Sequence, residues 1–245
     1  MEPDLPPAAL RLDIDREALA ANWRALDAMS GKASTGAAVK ADAYGIGARI
    51  AVPVLREAGC RDFFVTYASE AADILDFAAP GEIALLHGPL GAVDAYWACE
   101  AGVRPVINSL LQARRWLDAG GGLCDVMVDT GINRLGIGMA ELGDEMLRQL
   151  EIDCLLSALA SADEDAPLNA VQLARWQEAR RMLPHRRASL ANSAGIMLGA
   201  EYHGDLTRPG IALYGGVPVP SLKGTIRQVA RPMASIMQVR EIGAG

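Results

Sequence analysis

The chain has 245 residues, of which 51% are hydrophobic and 22% charged, a composition typical of a globular protein with a substantial core. Its formal net charge of -7 argues against a nucleic-acid-binding role, because proteins of that class carry basic patches for the phosphate backbone. No run reaches transmembrane length, and segment 1–7 does not lead from basic residues into an apolar stretch. We therefore expect a cytoplasmic protein without a membrane segment.

Cysteine and histidine spacing bears on metal binding. The four cysteines lack the spacing of metal ligands, and the three histidines lie far apart in the sequence. We therefore expect no metal site, and reduced, buried thiols at Cys60, Cys99, Cys124 and Cys154.

The first predicted helix begins after Asp15, its expected N-cap, and runs to about Met29. Leu19, Trp23 and Leu26 recur along it at helical spacing and predict one buried face. Eight short apolar runs typical of strands follow, at 35–40, 62–67, 82–87, 103–108, 124–129, 152–159, 186–191 and 211–215. Helical patterns fill most gaps between them, at 44–58, 68–78, 90–100, 109–119, 139–149 and 168–183.

This alternation predicts an α/β fold, specifically a (β/α)8 TIM-like barrel. A doubly wound open sheet is the alternative, because the runs can also be divided into six or seven strands. That alternative is weakened because no glycine-rich dinucleotide fingerprint follows the first strand.

The tail of the chain departs from this rhythm. Val217 to Ser221 breaks the pattern, and the alternation from Met233 to Ile242 predicts one more strand. A strand with no partner after it suggests the start of a second domain. We therefore expect a barrel domain over 1–230 and, over 231–245, the first strand of a truncated C-terminal β domain.

The first barrel strand ends in Lys40, followed closely by Tyr44, Gly45 and Gly47. A desolvated lysine has a lowered pKa, which frees its amine to attack a carbonyl. Glycines beside it let the backbone approach a phosphate. This pattern suits covalent attachment of pyridoxal 5'-phosphate (PLP). The alternative is a lysine that simply leaves its strand for solvent, which is the commoner structure for a bare Val-Lys-Ala sequence.

Further distinctive segments fall where barrel enzymes carry their chemistry, at the carboxyl ends of strands. Arg134 lies in a glycine-bounded loop and favours contact with an anionic group, although a surface charge is the alternative. Ser193 could hold a phosphate or cap a short helix. Arg208 and Gly210 precede the last run, and Gly210 would permit close approach to an anion.

These segments resemble alanine racemases in order and approximate spacing, from Leu12 to Glu241. The segment Val39-Lys40-Ala41-Asp42-Ala43-Tyr44-Gly45 closely resembles the PLP-attachment motif of that family. The resemblance implies that Lys40 carries the cofactor and acts as the base on one face of the substrate Cα. It implies phosphate binding by Tyr44, Ser193 and the backbones of Gly210 and Ile211. It further implies that Arg208 contacts the pyridine nitrogen, and that Arg134 contacts the phenolic oxygen and the substrate carboxylate.

The implied function is PLP-dependent interconversion of L- and D-alanine for peptidoglycan precursors, in a homodimer if the C-terminal domain is supplied. Three positions depart from the family. Ala158 replaces a histidine beside the cofactor ring, and Met127 replaces a modified lysine that braces the motif arginine in some members. The family's second acid/base, a tyrosine, would lie beyond Gly245, so we expect this chain alone to racemise alanine poorly.

Two rival interpretations remain at this point. One is a non-racemising PLP-binding barrel protein for cofactor homeostasis, whose family shares the barrel and the lysine but not the segments around Arg134 and Arg208. The other is a non-catalytic remnant of a shortened gene, which Ala158 and the missing tyrosine favour.

Overall fold

Seven short strands lie side by side and parallel in one curled sheet, in a computed structural model that describes residues 8–243. Segment 1–7 and residues 244–245 lie outside the described residues. The expectation about export and the end of the predicted second domain partly rest on them. The strands are β1 (Leu10–Ile14), β2 (Ser34–Thr35), β3 (Ala37–Ala38), β4 (Phe63–Val65), β5 (Ile83–Leu85), β6 (Arg104–Ile107), β7 (Leu123–Asp129), β8 (Ile137–Gly138), β9 (Glu151–Leu156), β10 (Arg187–Ser189), β11 (Leu206–Thr207) and β12 (Ala230–Ala234).

The helices alternate with these strands as predicted for most of the chain. They are α1 (Arg16–Ser30), α2 (Lys40–Tyr44), α3 (Ala48–Ala58), α4 (Ala68–Ala72), α5 (Ala92–Ala101), α6 (Leu110–Asp118) and α7 (Pro167–Met182). The predicted cap of the first helix is confirmed, because the Asp15 carboxylate accepts the N–H of Ala18 at 2.9 Å.

The parallel sheet has the order β3-β4-β5-β6-β7-β9-β10, and β8 pairs separately with β7. Closure comes from β11, which pairs in parallel with β2. Backbone N–H groups complete the seam: Gly36 donates to Thr207 at 2.9 Å and Asp205 donates to Ala188 at 2.7 Å. Only Gly36 separates β2 from β3, so these two together form one strand position, or stave, of the barrel. Counted in this way the barrel has eight staves, and the predicted α/β barrel is confirmed.

The eighth stave does not lie where the sequence indicated. The run 211–215 was predicted to be a strand, but Ile211–Tyr214 forms a 3-10 turn and the stave is β11. A short apolar run cannot by itself distinguish a strand from a helical turn. The real stave has only two residues, and Thr207 is held there by its hydroxyl, which bonds to Ser30 at 2.8 Å in the interior.

Three predicted helices also differ from the structure. The helix expected over 139–149 is two 3-10 turns, Met139–Glu141 and Leu147–Gln149. Between them the Asp144 side chain accepts the N–H of Met146 at 2.8 Å, which competes with helical hydrogen bonding. The helix expected over 68–78 stops at Ala72, and the one expected over 44–58 begins only at Ala48, after two glycines with positive φ.

The predicted tail strand over 233–242 is wrong in position and in its lack of a partner. The strand is β12, and it pairs antiparallel with β1, from Leu10 opposite Ala234 to Ile14 opposite Ala230. Residues 235–243 have no regular secondary structure and are exposed. The pairing supplies backbone partners from the other end of the chain, which local periodicity could not reveal. The division into domains at 230 and 231 stays a prediction.

Two apolar clusters and one ionic cluster form the interior of the protein. The larger apolar cluster packs the strands against the outer helices. A smaller one fills the barrel interior with Ala38, Phe64, Ala84, Val106, Met127, Cys154, Leu156 and Leu206. Below it, near the amino ends of the strands, two arginines and three carboxylates form a buried ionic cluster: Asp62, Arg104, Asp125, Asp153 and Arg187.

The four cysteines are free thiols, with Cys60, Cys124 and Cys154 buried and Cys99 half-buried. Within residues 8–243, no cluster of histidine, cysteine and carboxylate side chains is arranged to hold a metal ion. No helix in the same range is long and apolar enough to cross a membrane.

Candidate active site

A cavity of about 480 Å³ opens at the carboxyl ends of the barrel strands. This is the end of a barrel at which enzymes of this architecture carry their chemistry. The cavity is lined by all seven residues that the sequence singled out, namely Lys40, Tyr44, Arg134, Ser193, Arg208, Gly210 and Ile211. The structure therefore brings these residues together, while their individual roles stay predictions.

Lys40 enters the cavity from the end of β3, at the start of an unusual turn. Ala41, Asp42, Ala43 and Tyr44 all have φ between 51° and 56°, which is the left-handed region. Each such residue costs about 1–2 kcal/mol relative to right-handed backbone.

The left-handed turn is held by its own hydrogen bonds and by a neighbouring carboxylate. Ala43 N–H donates to Val39 at 2.8 Å and Gly47 N–H donates to Asp42 at 3.0 Å. Glu70 accepts the N–H of Ala41 at 2.9 Å. Together these contacts orient the lysine at the mouth of the barrel.

The surroundings of Lys40 favour its neutral amine. Burial lowers the pKa of Lys40, and the positive charges of Arg134 and Arg208 lower it further, while Glu70 acts in the opposite direction. The side chain is half-buried rather than extended into solvent. Within residues 8–243 the amine makes no hydrogen bond or ion pair. A neutral, unpaired amine is the form required for attack on a carbonyl.

One end of the cavity is built from neutral hydrogen-bonding groups. The Ser193 hydroxyl accepts the N–H of Gly210 at 2.9 Å and that of Ala212 at 3.3 Å. Asn192, rather than Ser193, caps the following turn, because its side-chain oxygen accepts the N–H of Ala194 at 3.1 Å and of Gly195 at 2.9 Å. The Ser193 oxygen and the two backbone amides that bond to it form a cradle whose hydroxyl proton has no acceptor among residues 8–243 and can be donated to an anion.

Gly210 keeps this end of the cavity open. A Cβ at position 210 would overlap the Tyr44 hydroxyl and lie only 3.1 Å from Tyr44 Cζ and 3.3 Å from the Cβ of Ala38. Tyr44 cannot easily retreat, because its ring stacks on Tyr214 with centroids 4.8 Å apart. Tyr214 in turn donates from its hydroxyl to the carbonyl of Ala38 at 2.8 Å. Ile211, half exposed, lies at the rim beside them.

Arg208 follows β11 and is fixed below the centre of the cavity. Its Nε donates to Ser189 Oγ at 2.8 Å, and its Nη2 donates to the carbonyl of Ser157 and to that of Leu190 at 3.4 Å. Nη1 has no hydrogen-bond partner in the described part of the chain. A fixed guanidinium with one free nitrogen is suited to a single acceptor atom of a bound molecule.

Arg134 is presented by a loop that the Asp129 carboxylate organises. Asp129 Oδ1 accepts the N–H of Gly131 at 2.9 Å and that of Asn133 at 3.1 Å, and Asn133 has a φ of 54°. The Arg134 guanidinium lines the cavity without a hydrogen bond or ion pair to any of residues 8–243. Met127 lies in the same cavity, nearly buried, and offers no group that could brace an arginine.

Ala158 lines the opposite wall, at the end of β9. Its carbonyl accepts a hydrogen bond from Gln172 Nε2 at 2.9 Å, so the backbone is anchored although the side chain is only a methyl group.

Sequence reasoning missed several residues of the cavity, chiefly Thr66, His87 and Asp163, as well as Glu70, which bonds to its wall. Thr66 and His87 follow β4 and β5 closely. Their place at strand ends was a usable signal, because the carboxyl ends of all eight strands converge in a barrel.

Comparisons with known proteins agree with this geometry. The family model described as "Alanine racemase, N-terminal domain" matches residues 14–218. Alanine racemase of Methylobacterium nodulans is 42% identical over 246 residues, covering 96% of this chain and 66% of that protein. Alanine racemase of Rhizobium meliloti is 41% identical, covering 99% of this chain and 66% of that protein. The chain thus spans about two thirds of the length of these curated relatives.

Solved structures give the same result. The crystal structure of alanine racemase from Bartonella henselae, with covalently bound pyridoxal phosphate, superposes with a TM-score of 0.88 at 34% identity. That match covers 97% of this chain and 72% of the other. The extent of the family match, together with these relatives, shows that this chain belongs to the family of the alanine racemase N-terminal domain.

Proposed function

We propose that this chain binds PLP through Lys40 and uses the same lysine to move the Cα proton of alanine, as part of the interconversion of its L and D forms. The observation that carries this proposal is the unpaired Lys40 amine, whose pKa is lowered by burial and by two arginines. It lies in one cavity with a neutral anion cradle at Ser193 and the free nitrogen of Arg208.

The donor set fits PLP group by group. A phosphate matches the cradle, where the Ser193 hydroxyl proton and the nearby Tyr44 hydroxyl can donate and the backbones of Gly210 and Ile211 line the cavity. An aldehyde carbon matches the Lys40 amine, and a pyridine nitrogen matches the free Nη1 of Arg208. The cradle is also narrow enough at Gly210 that any side chain there would fill it. No metal is needed to explain the arrangement.

When bound, PLP supplies an electron-withdrawing system that makes the Cα proton of an attached amino acid acidic. Lys40 Nζ, whose pKa is lowered by burial and by Arg134 and Arg208, would accept or return that proton on one face of Cα. Arg208 stays protonated and has no acceptor, so it can only donate to a ring nitrogen and leaves that nitrogen without a proton. In this way Arg208 would moderate the electron withdrawal that the bound cofactor supplies, which favours prompt return of the proton to Cα.

The attachment test is clean because the chain has three lysines, Lys32, Lys40 and Lys223, and the other two are exposed. Protein supplied with PLP should absorb visible light, and borohydride should fix the cofactor on the peptide that contains Lys40. Lys40→Ala should lose both signals, whereas Lys32→Ala and Lys223→Ala should keep them. Labelling of Lys32 or Lys223, or of no lysine, would contradict the proposal.

Proton movement is measured separately from attachment. In D2O, the PLP-loaded chain should exchange the Cα proton of alanine, detected by NMR, and Lys40→Ala should not. Chiral chromatography of the same samples measures how much exchange becomes inversion. Attachment at Lys40 without any Cα exchange would instead support a cofactor-handling barrel protein.

A further inference from the structure

Three titratable side chains in the cavity have no hydrogen bond from any of their nitrogens within residues 8–243. They are the Lys40 amine, the Arg134 guanidinium and the imidazole of His87, none of which forms a hydrogen bond with any other residue in 8–243. Donors that converge unpaired in a concave site indicate ligand contacts. Lys40 has a role in the proposed function, and Arg134 is implied to meet an anion, but His87 has none.

The distribution of charge indicates a second anion site. The cradle at Ser193 uses a hydroxyl and backbone amides, and no cation contributes to it. Burial lowers the pKa of His87, and the positive charges of Lys40 in its protonated form and of Arg134 lower it further. An anionic group bound by the cradle therefore leaves the Arg134 guanidinium, which has no ion pair within residues 8–243, available for a second anionic group.

One carboxylate, Glu70, acts on this region without forming an ion pair with any cation of residues 8–243. Glu70 raises the pKa of both Lys40 and His87, yet its two oxygens already accept the N–H of Ala41 at 2.9 Å and of Thr66 at 2.6 Å. Asp163 lines the cavity as a second carboxylate but is not among the groups that shift His87. The unpaired donors therefore remain available to bind an anionic group of a ligand.

His87 is fixed in position while its ring nitrogens stay free. Its backbone N–H donates to Thr66 at 3.2 Å, and its carbonyl accepts from Gln112 Nε2 at 2.8 Å. The ring packs edge-on against Tyr67 with centroids 4.9 Å apart. Gly88, with a φ of 63°, follows at a point where a Cβ would overlap the carbonyl of Val106, so the loop has little freedom to move the histidine elsewhere.

We propose that His87 binds the carboxylate of the amino-acid substrate together with Arg134, as a second substrate-binding residue of the same cavity. This inference rests on the proposed function for the identity of the ligand. Burial, Lys40 and Arg134 lower the pKa of His87, while Glu70 opposes them. A bound carboxylate adds a negative charge, so it should raise that pKa and cause proton uptake.

The test uses ring proton NMR, which is simple because the chain has three histidines. His203 is buried with its ring nitrogens on the carbonyls of Ser30 and Ile196, and His185 lies on the carbonyl of Leu183. His87→Gln assigns the remaining resonance. Propionate, which has the carbon skeleton and carboxylate of alanine without its amine, is the probe, and propionamide is its neutral control.

We expect propionate to shift the His87 resonance and raise its titration midpoint, and propionamide to do neither. Arg134→Gln should weaken propionate binding about tenfold or more. In the PLP-loaded chain, His87→Gln should raise the KM for Cα exchange of alanine several-fold and leave kcat nearly unchanged, because glutamine retains the donor but cannot take up a proton.

A His87 resonance that ignores propionate, or that responds equally to propionamide, would overturn the inference without any use of PLP. These outcomes are independent of the proposed function. If PLP fails to attach to Lys40 but propionate still shifts His87, the carboxylate site stands and the cofactor assignment falls. If PLP attaches and propionate leaves His87 unchanged, the reverse holds.

Discussion

The Ser193 hydroxyl accepts the N–H of Gly210 at 2.9 Å, which ties the segment after the seventh stave of the barrel to the turn after the eighth. Neither residue is close to the other in sequence, and both are buried. The contact places a hydroxyl, a backbone amide and an open glycine at one point. Its consequences for cofactor binding can be tested by filling the space at Gly210.

Gly210→Ala should weaken PLP binding by about 1–3 kcal/mol, the usual cost of overpacking. The new Cβ would overlap the Tyr44 hydroxyl, whose ring is held on Tyr214. Titration of the visible absorbance with PLP measures the loss. Adding Tyr44→Phe should recover part of the affinity by removing the overlapping oxygen, although Cζ would remain 3.1 Å away. Undiminished PLP binding by Gly210→Ala would show that the phosphate is held elsewhere.

Ala158→His should tighten PLP binding by about 1 kcal/mol, because an aromatic ring would again face the cofactor. The position lines the cavity, and its backbone is already anchored by Gln172. The same titration compares the two proteins, with Ala158→Leu as a control that fills space without an aromatic face. Equal or weaker binding by the histidine variant would indicate that other residues have adapted to Ala158.

The buried ionic cluster predicts two opposite dependences of stability on pH. Burial alone raises the pKa of Asp62, but hydrogen bonds and charges from Arg187 and Arg104 outweigh it and hold that pKa below its usual value. Burial raises the pKa of Asp125 to about 6, and the negative charge of Asp153 adds to this effect against the attraction of Arg104. One Asp125 oxygen has no hydrogen-bond partner and lies 3.8 Å from the equally unpaired Nε of Arg104.

Asp62 therefore stabilises the fold above the ordinary aspartate pKa, and this contribution is lost as the pH falls through its lowered value. Asp62→Asn should cost about 3–5 kcal/mol near neutral pH, since it breaks a buried pair. Asp125 behaves in the opposite way. The folded chain retains its proton more tightly than the unfolded chain, so the unfolding free energy decreases as the pH rises from about 4 toward 6.

Asp125→Asn removes this decrease while keeping an acceptor for the N–H of Cys154, which Asp125 Oδ1 accepts at 3.1 Å. Relative to the unchanged protein, the variant should gain about 1 kcal/mol of unfolding free energy between pH 5 and pH 8. Urea unfolding at both pH values measures the difference, with Asp62→Asn as the comparison. A variant whose relative stability is the same at both pH values would contradict the raised pKa.

The left-handed turn after Lys40 predicts a stabilising glycine. Ala41 is exposed with a φ of 52°, so Ala41→Gly should relieve strain and raise the unfolding free energy by up to about 1 kcal/mol. Ala174, exposed in the middle of α7, is the matched control, and Ala174→Gly should cost about 1 kcal/mol. Thermal unfolding of both variants checks the signs. Destabilisation of similar size at both positions would rule out a strained left-handed turn.

Much of this architecture could be predicted from local sequence. Asp15 caps α1 because its side chain meets an N–H only three residues away. Seven of the eight staves were found where apolar runs predicted them, because a buried parallel strand needs such a run wherever it lies. The cluster of chemistry at Lys40, Arg134, Ser193 and Arg208 was predictable once those runs were assigned to one barrel, since a barrel gathers the carboxyl ends of its strands.

Long-range partners decided the rest. The two-residue stave β11 forms because the Thr207 hydroxyl bonds to Ser30 and the backbone pairs with β2. No strand pattern in the surrounding sequence indicates it. Residues from five strand beginnings form the ionic cluster, and β12 is a strand because β1 lies beside it. His87 was likewise unremarkable in sequence. Helix caps and hydrophobic periodicity are encoded within a few residues. The pairing of a short strand, the partners of a buried charge and the surroundings of an unpaired imidazole are set only when distant segments meet.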